Sequence, residues 1–194
     1  METKPIDMRK PLLILAPVLC FLMFCACKKS NNNLTSQGLA GTWNFLGVSG
    51  HTKTEVNEGF GVSMVAYPAF VTTGNVGTVT FAKDSMIASG VGYSVDTAFW
   101  AYFYYGGVKY DSSSQRLTYT VPPTSTTSKY TLIGGDSLYF PKGGILTALD
   151  SASTGQSCTY VIQGDSLLLT SNGIDTSGGQ HTDFATVITM KRSK

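Results

Sequence analysis

Charge is scarce in this chain. Only 13% of its 194 residues are Asp, Glu, Lys or Arg, and after Cys27 eleven basic residues stand against ten acidic ones with no cluster of either sign. A nucleic-acid surface needs a basic face to neutralise phosphates, so no nucleic-acid partner is expected. Cysteine is as rare: Cys158 is the single one after Cys27, which leaves no pair for a disulfide within the exported domain. With no His or basic neighbour in Gln156-Ser-Cys-Thr-Tyr-Val-Ile162, Cys158 reads as a small buried hydrophobe rather than a reactive thiol. Histidine occurs twice, at His51 and His181. Two isolated histidines give no metal-ligand spacing and a poor supply of general bases, so no metal, no cofactor and no enzymatic activity are expected. A shared loop site of His181 and Asp183 is the weak exception. Helical periodicity is also missing. From Leu39 onward no window of ten or more residues carries apolar side chains at helical spacing.

The beginning of the chain has a different character. Lys4, Arg9 and Lys10 precede an uncharged run from Pro11 to Ala26, PLLILAPVLCFLMFCA. That is a basic n-region followed by an apolar h-region. The run is shorter than the roughly 20 residues of a membrane span and is interrupted by Pro17, so residues 1–26 read as a cleaved signal peptide. Ala26-Cys27-Lys28-Lys29-Ser30 then resembles the bacterial lipobox, in which a small residue precedes the cysteine that becomes acylated. Leu19 and Phe24 are too large to precede a cleaved Cys20 or Cys25. The resemblance implies lipidation at Cys27, a polar tether over 27–38, and anchoring to a membrane by buried acyl methylenes. The residues after Cys27 are basic and amide-bearing rather than acidic, so the expected location is the periplasmic face of the outer membrane.

Residues 39–194 make one domain by length. Alternation dominates: in Val76-Gly-Thr-Val-Thr-Phe81, Val79 and Phe81 face one way and Thr78 and Thr80 the other, and Leu117-Thr-Tyr-Thr-Val121 repeats the pattern. Strands are expected near 41–49, 52–57, 62–71, 76–82, 85–89, 98–105, 108–111, 116–121, 129–134, 137–140, 157–163, 166–171 and 183–191. Gly106-Gly107 should turn the aromatic strand back on itself. Short strands joined by hairpins mean an antiparallel all-β fold, a barrel or a sandwich.

One tetrapeptide occurs twice, in Ile133-Gly-Gly-Asp-Ser-Leu138 and Ile162-Gln-Gly-Asp-Ser-Leu167. It spells the nucleophile motif of the GDSL esterases and lipases. Its context does not fit, because apolar strand residues follow both copies and that family's late Asp-x-x-His pair is absent. The echo marks two similar hairpins. In the second, a Gly-Asp loop pairs Ile162 with Leu167, Val161 with Leu168 and Tyr160 with Leu169. Both copies also fall among five tripeptides, Asp84-Ser-Met86, Asp96-Thr-Ala98, Asp136-Ser-Leu138, Asp150-Ser-Ala152 and Asp165-Ser-Leu167. These resemble the acceptor of a periplasmic O-glycosylation system of some Gram-negative bacteria. Asp and Ser also favour turns through side-chain bonds to the backbone.

Leu39-Ala-Gly41-Thr42-Trp43-Asn44-Phe45 is similar to the Gly-x-Trp opening of lipocalins and of lipocalin-like domains in the lipoproteins of Gram-negative bacteria. The resemblance implies an antiparallel up-and-down β-barrel, with a β-sandwich as the alternative. It also implies that Trp43 plugs one end against a late arginine, here Arg192, whose cation gains about 0.5–2 kcal/mol over an indole face. A last feature is aromatic on both faces: Phe99, Trp100, Tyr102, Phe103, Tyr104 and Tyr105. One face or the other could line a site for a small apolar or glycan ligand, or neighbouring strands could simply cover the second face. The expected protein is a monomeric, lipid-anchored lipoprotein that binds a small apolar ligand. The alternative is a structural or interaction lipoprotein without one.

Overall fold

The computed structural model describes residues 38–142, 155–176 and 180–194. Residues 1–37, with the expected signal peptide and Cys27, and Asp150-Ser-Ala152 lie outside the described residues. The rest is antiparallel β structure: β1 (Gly41–Gly59), β2 (Val62–Ala66), β3 (Ala69–Val71), β4 (Thr73–Phe81), β5 (Ser85–Tyr105), β6 (Val108–Lys129), β7 (Thr131–Ile133), β8 (Ser137–Phe140), β9 (Gln156–Gln163), β10 (Ser166–Asp175) and β11 (Gln180–Arg192). They form one sheet in the order β2-β5-β4-β1-β11-β10-β9-β8-β7, with β6 on β5 and β3 on β1.

Several strands are longer than the alternation alone indicates, because bulges rather than turns absorb the irregular residues. The stretches 41–49 and 52–57 belong to one 19-residue strand, whose register slips between Phe45 and Gly47. Likewise 85–89 and 98–105 merge into β5, which shifts register against β6 at Ala88/Val91 and Val91/Tyr93. Pro122 and Pro123 lie opposite the second of these shifts. A missing N–H is tolerated at such a place, so β6 continues through both. The expected strand over 62–71 is instead divided at Tyr67-Pro68 into β2 and β3.

β1 carries three short strands on one flank. β4 pairs with its residues 41–44, β3 with 49–51 and β2 with 54–59. β4 and β2 in turn pair with the two ends of β5, but no ladder joins β3 to β5 among the described residues. The residues flanking β3 direct their backbone at β1: the Pro68 carbonyl accepts the Thr52 amide, and the Thr72 hydroxyl and amide bond Val48 at 2.8 and 2.9 Å. On the side facing β5, the Ala69 carbonyl accepts a side-chain hydroxyl, that of Thr97, rather than a backbone amide.

Inward-facing residues concentrate in one cluster. Leu39, Trp43, Val79, Phe81, Met86, Leu138, Leu167 and Met190 are fully buried or within 1% of it. The three turns beneath this cluster share a device. The carbonyls of Asp84, Asp136 and Asp165 accept the amides of Tyr130, Tyr160 and Arg192 at 3.0, 2.7 and 2.7 Å. Each aspartate is followed by a serine that opens a strand, then by Met86, Leu138 or Leu167 in the core. At the other end β1, β2, β5 and β6 run on as an arm. Its turns, Gly59-Phe60-Gly61 and Gly106-Gly107, are tied by the Gly106 amide on the Gly61 carbonyl at 2.9 Å.

Candidate functional site

Trp43 and Arg192 are opposite each other in the ladder of β1 and β11. The Arg192 guanidinium lies 4.2 Å from the Trp43 ring centroid, and the indole N–H donates to the Leu39 carbonyl at 2.9 Å. Arg192 also donates to the carbonyls of Gly38 and Ala40, at 2.5 and 3.3 Å. The cation therefore fastens the segment entering β1 and covers the buried ring from outside.

The aromatic strand divides between two faces. By alternation along β5, Phe99, Phe103 and Tyr105 fall on the same side as buried Val95 and Ala101, while Trp100, Tyr102 and Tyr104 fall on the outer side with exposed Asp96 and Ala98. Phe103 meets Tyr110 at a centroid distance of 6.4 Å, and Tyr102 meets Tyr67 at 6.2 Å. The six residues therefore do not converge on one site. Of the inner three, Phe99 and Phe103 are half-buried beside buried Ala66 and Ala101, whereas Tyr105, at the end of β5, is exposed.

The interruption between β3 and β5 opens a groove of ≈ 540 Å³. His51, Phe70, Val71, Asp96, Thr97 and Val187 are among its lining residues, and no aromatic residue of β5 is. The Thr97 hydroxyl spans the missing ladder by donating to the Ala69 carbonyl at 2.6 Å. At the rim the Arg116 guanidinium grips Asp96 with two bonds of 2.7 and 2.5 Å and holds its carboxyl below the usual aspartate range. The lining is mainly small and apolar, with a few polar groups to orient a ligand. Sequence reasoning missed this groove. It is formed by residues of β1, β3, β5 and β11 that are far apart in the chain, so no local pattern marks it.

Deeper in the interior, the Tyr93 hydroxyl is buried without a hydrogen-bond partner, its ring 6.0 Å from that of Phe45. Burial holds this hydroxyl well above the usual tyrosine range. Cys158 pairs with Leu138, and burial pushes its thiol up to about 12, the opposite of activation. His181 lies 3.3 Å from Asp183, both half exposed. Among the described residues no three His, Cys, Asp or Glu side chains gather as a metal site would require. In the tripeptides, Thr97 is engaged with Ala69, and the Ser137 hydroxyl lies 3.0 Å from its neighbour Asp136. No protein-family model, curated protein or solved structure matches this chain.

Proposed function

We propose that the chain is a lipid-anchored lipoprotein of the outer membrane, held through acylated Cys27, whose β domain is a lipocalin-like barrel binding a small apolar ligand. The barrel reading rests on a ring of pairings. β1 pairs with β11, and β8 to β11 each pair with the next. β6 and β7, separated by Tyr130 alone, pair with β5 and β8 respectively. One strand interrupted at Tyr130 thus connects the two flanks of the sheet, and the Trp43–Arg192 pair closes one end as in lipocalins.

The observation that carries the ligand-binding reading is the groove between β3 and β5. It interrupts an otherwise laddered wall, and its volume lies in the range of about 300–1,000 Å³ typical of small-molecule sites. Intact and native mass spectrometry of the protein purified from its own membrane tests both parts. The expected species begins at an acylated Cys27 and retains a small hydrophobic molecule, which Thr97→Trp expels by filling the groove. A chain that still carries residues 1–26, or one that is bare in the native spectrum, overturns the corresponding half of the reading.

A further inference from the structure

The outer wall of the arm carries a row of aromatic side chains that ends at exposed Trp100. Trp100, Tyr102 and Tyr104 occupy every second position of β5, and Tyr67 packs edge-on against Tyr102. Trp100 is 53% exposed and Tyr67 49%. Two-residue steps along a strand are about 6.7 Å, so the three rings of β5 make a rail of about 13 Å on a laddered sheet.

The charged groups around the rail are ion-paired, apart from Lys109, whose ammonium lies over an aromatic ring. Asp96 is held by Arg116 and accepts the Thr118 hydroxyl at 3.2 Å, Lys53 pairs with Glu55 at 2.5 Å, and Lys109 lies 4.3 Å from the Tyr102 ring centroid. Ser112 and Ser114 of β6 stand opposite Tyr102 and Trp100 and add uncharged hydroxyls.

We propose that this wall is a platform for a neutral polysaccharide strand lying along β5. A pyranose ring presents a flat face of C–H bonds to an aromatic ring and a rim of hydroxyls to polar neighbours. The wall offers the first in exposed Trp100 and, beside it, half-buried Tyr102 and Tyr104, and the second in the Asp96–Arg116 pair and the serines. An anionic polymer or an anionic lipid surface would call for a cluster of unpaired cations, whereas Lys53 and Arg116 are ion-paired and Lys109 is a single charge over the Tyr102 ring. An extended peptide would add to a free strand edge, but from Ala101 to Tyr105 β5 has β2 on one side and β6 on the other.

Affinity electrophoresis of the full chain in detergent, through native gels cast with soluble neutral polysaccharides (amylopectin, laminarin, xyloglucan and galactomannan), tests the proposal. At least one should retard the protein, and Trp100→Ala should weaken that interaction about tenfold, the equivalent of one lost aromatic contact. Circular dichroism of the variant should be unchanged, since the removed side chain is exposed. Free migration in all four gels overturns the proposal, as does retardation unaffected by Trp100→Ala. Trp100-dependent sedimentation with neutral phosphatidylcholine vesicles, in place of retardation, would replace it with membrane docking.

Discussion

Tyr93 is the residue at which packing and polarity conflict most sharply. Its ring belongs to the core cluster, yet its hydroxyl is buried beside Phe45 without a partner. An unsatisfied buried hydroxyl costs about 1–3 kcal/mol, because its bonds to water are surrendered and nothing replaces them. Tyr93→Phe should therefore raise stability by about 1 kcal/mol, read as a higher urea midpoint at unchanged slope. A lower midpoint would mean that the hydroxyl has a partner in solution, a result that native spectra could trace to a retained molecule. Trp43 and Arg192 were legible residue by residue, since a glycine two places before a tryptophan and a late cation stand out in the text. Tyr93 was not, because Ser89-Gly-Val-Gly-Tyr93 looks like a turn until the register shifts of β5 are known.

Among the elements, the two Gly-Asp-Ser-Leu hairpins show how far local text reaches. The second has the anticipated register, with Gln163 opposite Ser166 around Gly164-Asp165. The first, nearly identical in sequence, pairs Ile133 with Ser137 and so turns over three residues. The difference lies at Gly134, whose φ of 64° leaves the strand where Gln163 stays in it. Alternation located the strands well, but it divided β1 at Gly50, which sits in an unbroken ladder with β11, and β5 around Gly90 and Gly92, where a glycine in a bulge looks like a glycine in a turn. Gly77 occupies a bulge of this kind in β4, within a strand that the alternation did locate. Its φ is 100°, and a Cβ there would lie 2.5 Å from the Gly90 carbonyl oxygen across the β4–β5 pair. Gly77→Ala should cost about 2 kcal/mol or more in urea unfolding, since backbone on both strands would have to move. A loss below about 0.5 kcal/mol would show that the bulge adapts freely. The groove lay beyond local text altogether, because its lining comes from β1, β3, β5 and β11, segments separated by tens of residues.

At the scale of the whole molecule, buried weak acids set the response to pH. Burial raises the Cys158 thiol to about 12 and raises the phenols of Tyr93, Tyr119 and Tyr130. Such groups ionise more readily when the chain is unfolded. Their contribution is therefore complete below about pH 8.5, the usual cysteine value, and falls as pH rises through the folded values. Asp96 has the opposite sign. Arg116 lowers its pKa, so its contribution holds above the usual aspartate value and is lost as acid titrates the lowered one. Asp96 is solvent-exposed, so its part is minor. The urea midpoint should fall between pH 7 and pH 10.5, and Cys158 should react with a thiol reagent at pH 8 only once urea unfolds the chain. Equal midpoints at the two pH values, or rapid labelling of the native protein, would contradict this account.

Because the opening strand lies beside the final one, with Ser193 donating its amide to the Thr42 carbonyl at 2.9 Å, the polypeptide enters and leaves the sheet at neighbouring points. A linker of a few residues would splice these ends, and new termini cut between Gly106 and Gly107 would interrupt no ladder. The order in which the staves follow one another in the gene is thus separable from the order in which they stand in the wall.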